Sequence, residues 1–85
     1  MTHTEFSPYH NRYIKFKLSS GEEKEGVVFD IIQYDKKKTP TEYVFIPTIH
    51  IKNWEDAERK GNKTLMNELE EKVDIADIVS AEVVH

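Results

Sequence analysis

From Tyr13 to Leu18 the chain alternates, with Ile14, Phe16 and Leu18 separated by Lys15 and Lys17, the period of two that a strand with one buried face requires. A strand is predicted there. The turn formers Ser19, Ser20 and Gly21 follow, and a second arm runs from about Glu22 to Ile32, so the two segments predict a hairpin. In the second arm Val27, Phe29 and Ile31 share the face assigned to the core, while Lys24, Gly26, Val28, Asp30 and Ile32 share a mixed one. Gly26 inside a strand predicts a bulge or bend of the kind a closing barrel needs. Residues 33 to 42, rich in charge and containing Pro40, predict an exposed connection. The next strand, residues 43 to 46, is apolar on both faces and is expected to be either central in the sheet or covered on its second side.

Pro47 should end that strand, and Ile49 and Ile51, alternating with Thr48, His50 and Lys52, predict a short fourth one. Asn53 is expected to cap a helix reaching about Lys60, with Gly61 as its left-handed C-cap. Residues 62 to 72 read as a loop with one helical turn, although Leu65 and Leu69 stand four apart. Val79, Ala81 and Val83 alternate with Ser80 and Glu82 as the closing strand. The expected fold is mainly β, a small, partly open antiparallel barrel of about five strands with one short α-helix. It forms one domain over residues 1–85, of which 1–11 are expected to be loosely ordered. Its core is expected to hold Ile14, Phe16, Leu18, Val27, Phe29, Ile31, Phe45, Val79, Ala81 and Val83.

Leu18, Gly21 and Gly26, set in a strand, turn and bent strand, resemble the opening motif of Sm-like proteins, and the same strand grammar is similar to Src-homology-3-type barrels. The resemblance covers roughly the opening third of the chain and implies a small barrel. Sm-like proteins that bind uridine-rich RNA place aspartate and asparagine where this chain has Ile32 and Lys36, and the late family motif corresponds only to "DIVSAEV". The barrel alone is therefore what the resemblance implies, and fold-level likeness does not fix function.

Composition narrows the classes. Of 85 residues 38% are hydrophobic and 33% charged, enough apolar material for a folded domain. Without cysteine there is neither a disulfide framework nor a thiolate metal site, which permits a reducing compartment. The N-terminus lacks the pattern of a signal peptide, and no apolar run reaches the ~20 residues of a membrane span. The expected setting is cytoplasmic, away from membranes. The net charge of −4 is uneven: residues 1 to 53 carry eight Lys/Arg against seven Asp/Glu, residues 54 to 85 four against nine. An acidic C-terminal third disfavours contact with phosphate backbones and favours a basic protein or peptide partner.

Candidate chemistry is sparse. Lys36, Lys37 and Lys38, with Tyr34 just before them, could contact phosphates and stack on a base, the basis for an alternative reading as an Sm-like nucleic-acid-binding protein. A solvated charged loop is the plainer alternative. Trp54, Tyr43, Tyr34 and Tyr13 could line a groove for a peptide or planar ligand, or could simply pack on the core. His3, His10, His50 and His85 are scattered and form no metal pair. Asp30 could act as an acid or base, but no nucleophile and oxyanion donor assemble around it. No cofactor is expected, and the function expected is a non-enzymatic interaction or accessory module. Its partner is unspecified, and open sheet edges suggest a homo-oligomer.

Overall fold

The structure, a computed structural model, describes residues 1–32 and 41–84. Five antiparallel strands form one sheet in the order β4-β3-β2-β1-β5, with β1 Tyr13–Leu18, β2 Glu23–Ile31, β3 Glu42–Pro47, β4 Glu71–Asp74 and β5 Ile78–Val83. The sheet is partly open, since β4 and β5 are its two ends. Three short helices, α1 His3–Phe6, α2 Ile51–Arg59 and α3 Lys63–Leu69, accompany it, so the single helix expected is replaced by three.

One face of the sheet carries the main core. Ile14 and Phe16 are buried as the alternation predicts, together with Phe6, Val28, Tyr43, Phe45, Val73, Ile75 and Ile78. Phe16 and Phe45 meet edge to face at 5.2 Å between ring centroids. The expected core face of β2 is corrected. Ile14 pairs with Gly26 and Phe16 with Lys24, and directly paired residues share a face. Gly26 and Val28 therefore point to the core, and Val27 and Phe29 lie on the other side, while Ile31, beyond a register shift, pairs with Tyr43 and is exposed. Gly26 is not itself the irregularity. The register of β2 against β3 shifts between Val28 and Ile31 instead. Glycine stands at 26 because a Cβ there would fall on the Ile46 carbonyl oxygen and 2.7 Å from Phe45 Cε1.

In β5 the correction is a bulge. Leu18 pairs with Ile78 and Lys17 with Ser80, so Val79 is the extra residue; it points to solvent, 60% exposed, while Ile78 fills the core. Leu18, Ala81 and Val83 pack at the core's margin. β3 is covered on both faces, one of the two arrangements its unbroken apolar run predicts: Tyr43 and Phe45 belong to the main core, and Ile46 is buried on the opposite side. The expected strand at Ile49 and Ile51 does not form. Thr48–His50 are a 3-10 turn leading straight into α2, so Asn53 lies inside the helix and His50 takes the cap position. Two alternating isoleucines are too few to fix a strand, and Ile49 is 81% exposed.

Residues 62 to 72, read as a loop with one turn, contain α3, whose N-cap Asn62 accepts from the Leu65 amide at 3.2 Å. The first eleven residues, expected to be loosely ordered, form α1 with a Thr2–Glu5 capping box and a 3-10 turn over Ser7–Tyr9. Phe6 anchors them, 1% exposed in the main core. Gly61 does take the left-handed conformation, at φ 68°, after the end of α2. Its Cβ would meet open space, so Gly61→Ala is expected to cost only the conformational penalty, about 1 kcal/mol. A urea midpoint equal to or above that of the wild type would contradict this.

Candidate functional site

The two faces of the sheet differ in how they are closed. Behind the main core, Val27 and Phe29 of β2 and Ile46 of β3 form a second apolar layer, against which α2 lays Ile51, Trp54 and the buried Ala57. The 3.6-residue period puts Ile51 and Trp54 one turn apart on the same side of the helix. Trp54 meets Phe29 nearly edge to face at 5.5 Å. Its indole N–H donates to Glu70 Oε2 at 2.8 Å, just beyond the end of α3. The helix stops short of covering this layer. A groove of about 210 Å³ remains, lined by Tyr13, Val27, Phe29, Ile46, Ile51, Trp54 and Glu55. Tyr13 is 49% exposed at its edge.

The lining is apolar apart from the Tyr13 hydroxyl and the Glu55 carboxylate. The neighbouring carboxylates are engaged: Asp56 pairs with Arg59 and Glu70 receives the Trp54 N–H. Glu55 makes no ion pair among the described residues. Such a surface can bury an apolar side chain and offer one charged acceptor at its rim.

Of the residues expected to form a site, Trp54 and Tyr13 are brought together here. Tyr43 is on the opposite face, buried at 5% exposure beneath the N-terminal segment, so it takes no part in the groove. His3 Nδ1 lies 3.0 Å from its hydroxyl, and Phe6 and His10 pack around its ring. Burial pushes the Tyr43 hydroxyl above the usual phenol range. Tyr34, Lys36, Lys37 and Lys38 lie outside the described residues. Asp30 is exposed, and His50 sits in the turn before α2 rather than on a strand. Among the described residues no group of three or more His, Asp or Glu side chains could hold a metal ion, and no helix is long and apolar enough to cross a membrane.

Sequence reasoning missed Val27, Phe29, Ile46, Ile51 and Glu55 as groove residues. The signal for some of them was present: β2 and β3 carry apolar residues on both faces, which requires a second covering layer. A charged pair of faces frames the other side of the sheet. Lys24 emerges at the core's rim, where it donates to Glu71 at 3.0 Å, pairs with Glu22 at 3.4 Å and lies 5.9 Å from the centre of the Phe45 ring. The Glu71 hydrogen bond holds its ammonium above the usual lysine range. This network closes one end of the core. No protein-family model, curated protein or solved structure matches the chain.

Proposed function

We propose that this protein is a non-enzymatic interaction module that takes an extended, basic and apolar segment of a partner protein into the groove between the sheet and α2. The observation carrying this reading is the juxtaposition of a half-exposed Tyr13, an apolar floor and a Glu55 that makes no ion pair among the described residues in one concave surface. Its volume, about 210 Å³, is below the roughly 300–1,000 Å³ of small-molecule pockets and suits one or two side chains. The acidic balance after residue 53 favours a basic segment. The partly open antiparallel sheet is in keeping with the small-barrel resemblance, a fold type that hosts many unrelated binding functions.

The test is selection of binders from a displayed random peptide library, with Tyr13→Ala as counter-screen. Enriched peptides are expected to share basic and apolar positions and to lose on the order of tenfold in affinity on the variant. Tyr13→Ala should leave the urea midpoint nearly unchanged, because half of that side chain is already in water. Enrichment of no peptide, or of peptides indifferent to Tyr13, would remove the groove from the account. Submicromolar binding of oligouridine, abolished by joint Lys36→Glu, Lys37→Glu and Lys38→Glu substitution, would install the nucleic-acid reading in its place.

A further inference from the structure

We infer that the occupant of the groove is anchored by an arginine side chain, its guanidinium plane against the aromatic rings and its N–H fork on the Glu55 carboxylate. The inference rests on the groove being a peptide site and names the side chain that site would select. Three of the seven lining residues are aromatic, Tyr13, Phe29 and Trp54, and the only carboxylate among them is Glu55. Ring faces attract cations, most strongly where water is excluded. An ammonium is compact and strongly hydrated, and it would surrender that hydration to a mostly apolar wall. A guanidinium is planar, more weakly hydrated and able to stack on a ring while donating in parallel to a carboxylate.

The geometry is prepared in advance. Trp54 is fixed between the Phe29 ring at 5.5 Å and the Glu70 carboxylate at 2.8 Å, so little ordering remains for a ligand to impose. Glu70 is satisfied by that indole and Asp56 by Arg59. Among the described residues Glu55 is left as the acceptor at the groove wall, within the acidic C-terminal third of the sequence. An uncharged apolar anchor would fill the floor equally well but would make no use of the Glu55 carboxylate beside it.

Trp54 is the single tryptophan of the chain, so its fluorescence reports on the groove alone. The probes are acetyl-Leu-Arg-Leu-amide and its counterparts with lysine or citrulline at the centre, citrulline keeping the planar shape without the charge. Titration of the arginine probe is expected to give a saturable change with affinity about tenfold above that of the citrulline probe, and lysine is expected to fall between them. Glu55→Gln, an exposed substitution, should remove most of that advantage while leaving the far-ultraviolet circular dichroism unchanged. Equal affinity of arginine and citrulline probes, or of arginine and lysine probes, would overturn the arginine anchor and leave the groove reading standing. No saturable change with any probe would also overturn the anchor; the groove reading itself falls only if the peptide selection fails as well.

Discussion

Phe45→Ala is expected to lower the unfolding free energy by about 3–5 kcal/mol, the range of a large aromatic removed from a closed core. Phe45 is 1% exposed on the central part of the sheet. It meets Phe16 edge to face at 5.2 Å, faces Val28 across the β2–β3 pair and lies beneath the Lys24 ammonium. The neighbours cannot collapse into the space, because three of them are fixed by strand pairing. Since a domain of 85 residues has a total stability of roughly 4–13 kcal/mol, the variant should be marginal or unfolded at ordinary temperature. The measurement is urea unfolding followed by circular dichroism, with Ile31→Ala as control. Ile31 is 47% exposed, and its truncation should change stability by no more than about 0.5 kcal/mol. Equal losses in the two variants would contradict the burial of Phe45 in the core.

Gly26→Ala is expected to cost on the order of 3 kcal/mol, the upper part of the range for overpacking. A single methyl group is usually harmless in a strand, and alanine loses less entropy on folding than glycine. Here the methyl would be driven onto the Ile46 carbonyl oxygen, a backbone atom that no rotamer change can move. The Phe45 ring lies 2.7 Å away on the other side. Relief requires β3 to separate from β2, which sacrifices the pairing of Gly26 with Pro47 and of Val27 with Ile46. Gly21→Ala provides the contrast. Gly21 has a positive φ of 92° but open space around its Cβ, so its loss is conformational strain alone, about 1–2 kcal/mol. If Gly26→Ala unfolds at the wild-type urea concentration, the close approach of β3 to β2 is refuted.

How much was legible in the chain varied with how many residues each signal spans. Three consecutive alternations at Ile14, Phe16 and Leu18 gave β1 its strand and its core side, because a one-residue slip would bury two lysines. The apolar run at residues 43 to 46 pointed to a central or doubly covered β3. Both positive-φ glycines were readable, at 21 and 61, since turn chemistry is a local property of the backbone. β4 was not readable. Only Val73 among Glu71, Lys72, Val73 and Asp74 points inward, and its assignment depends wholly on pairing with β3.

The groove shows the same division. Sequence composition determined that an aromatic-rich, mainly β domain with an acidic C-terminal third would form, and that Trp54 and Tyr13 were available for contact. Which residues met was decided by tertiary structure. The faces of β2 both look apolar along the chain, and the choice between them was made by Ile14 pairing with Gly26 and by β3 pressing on that glycine from the other side. Once Gly26 and Val28 faced the main core, Val27 and Phe29 had to be covered from behind, and α2 covers them only in part. Alternation along a strand is fixed by covalent geometry and can be read from one segment. The side that faces the core is a property of pairs of segments far apart in sequence, and only their packing decides it.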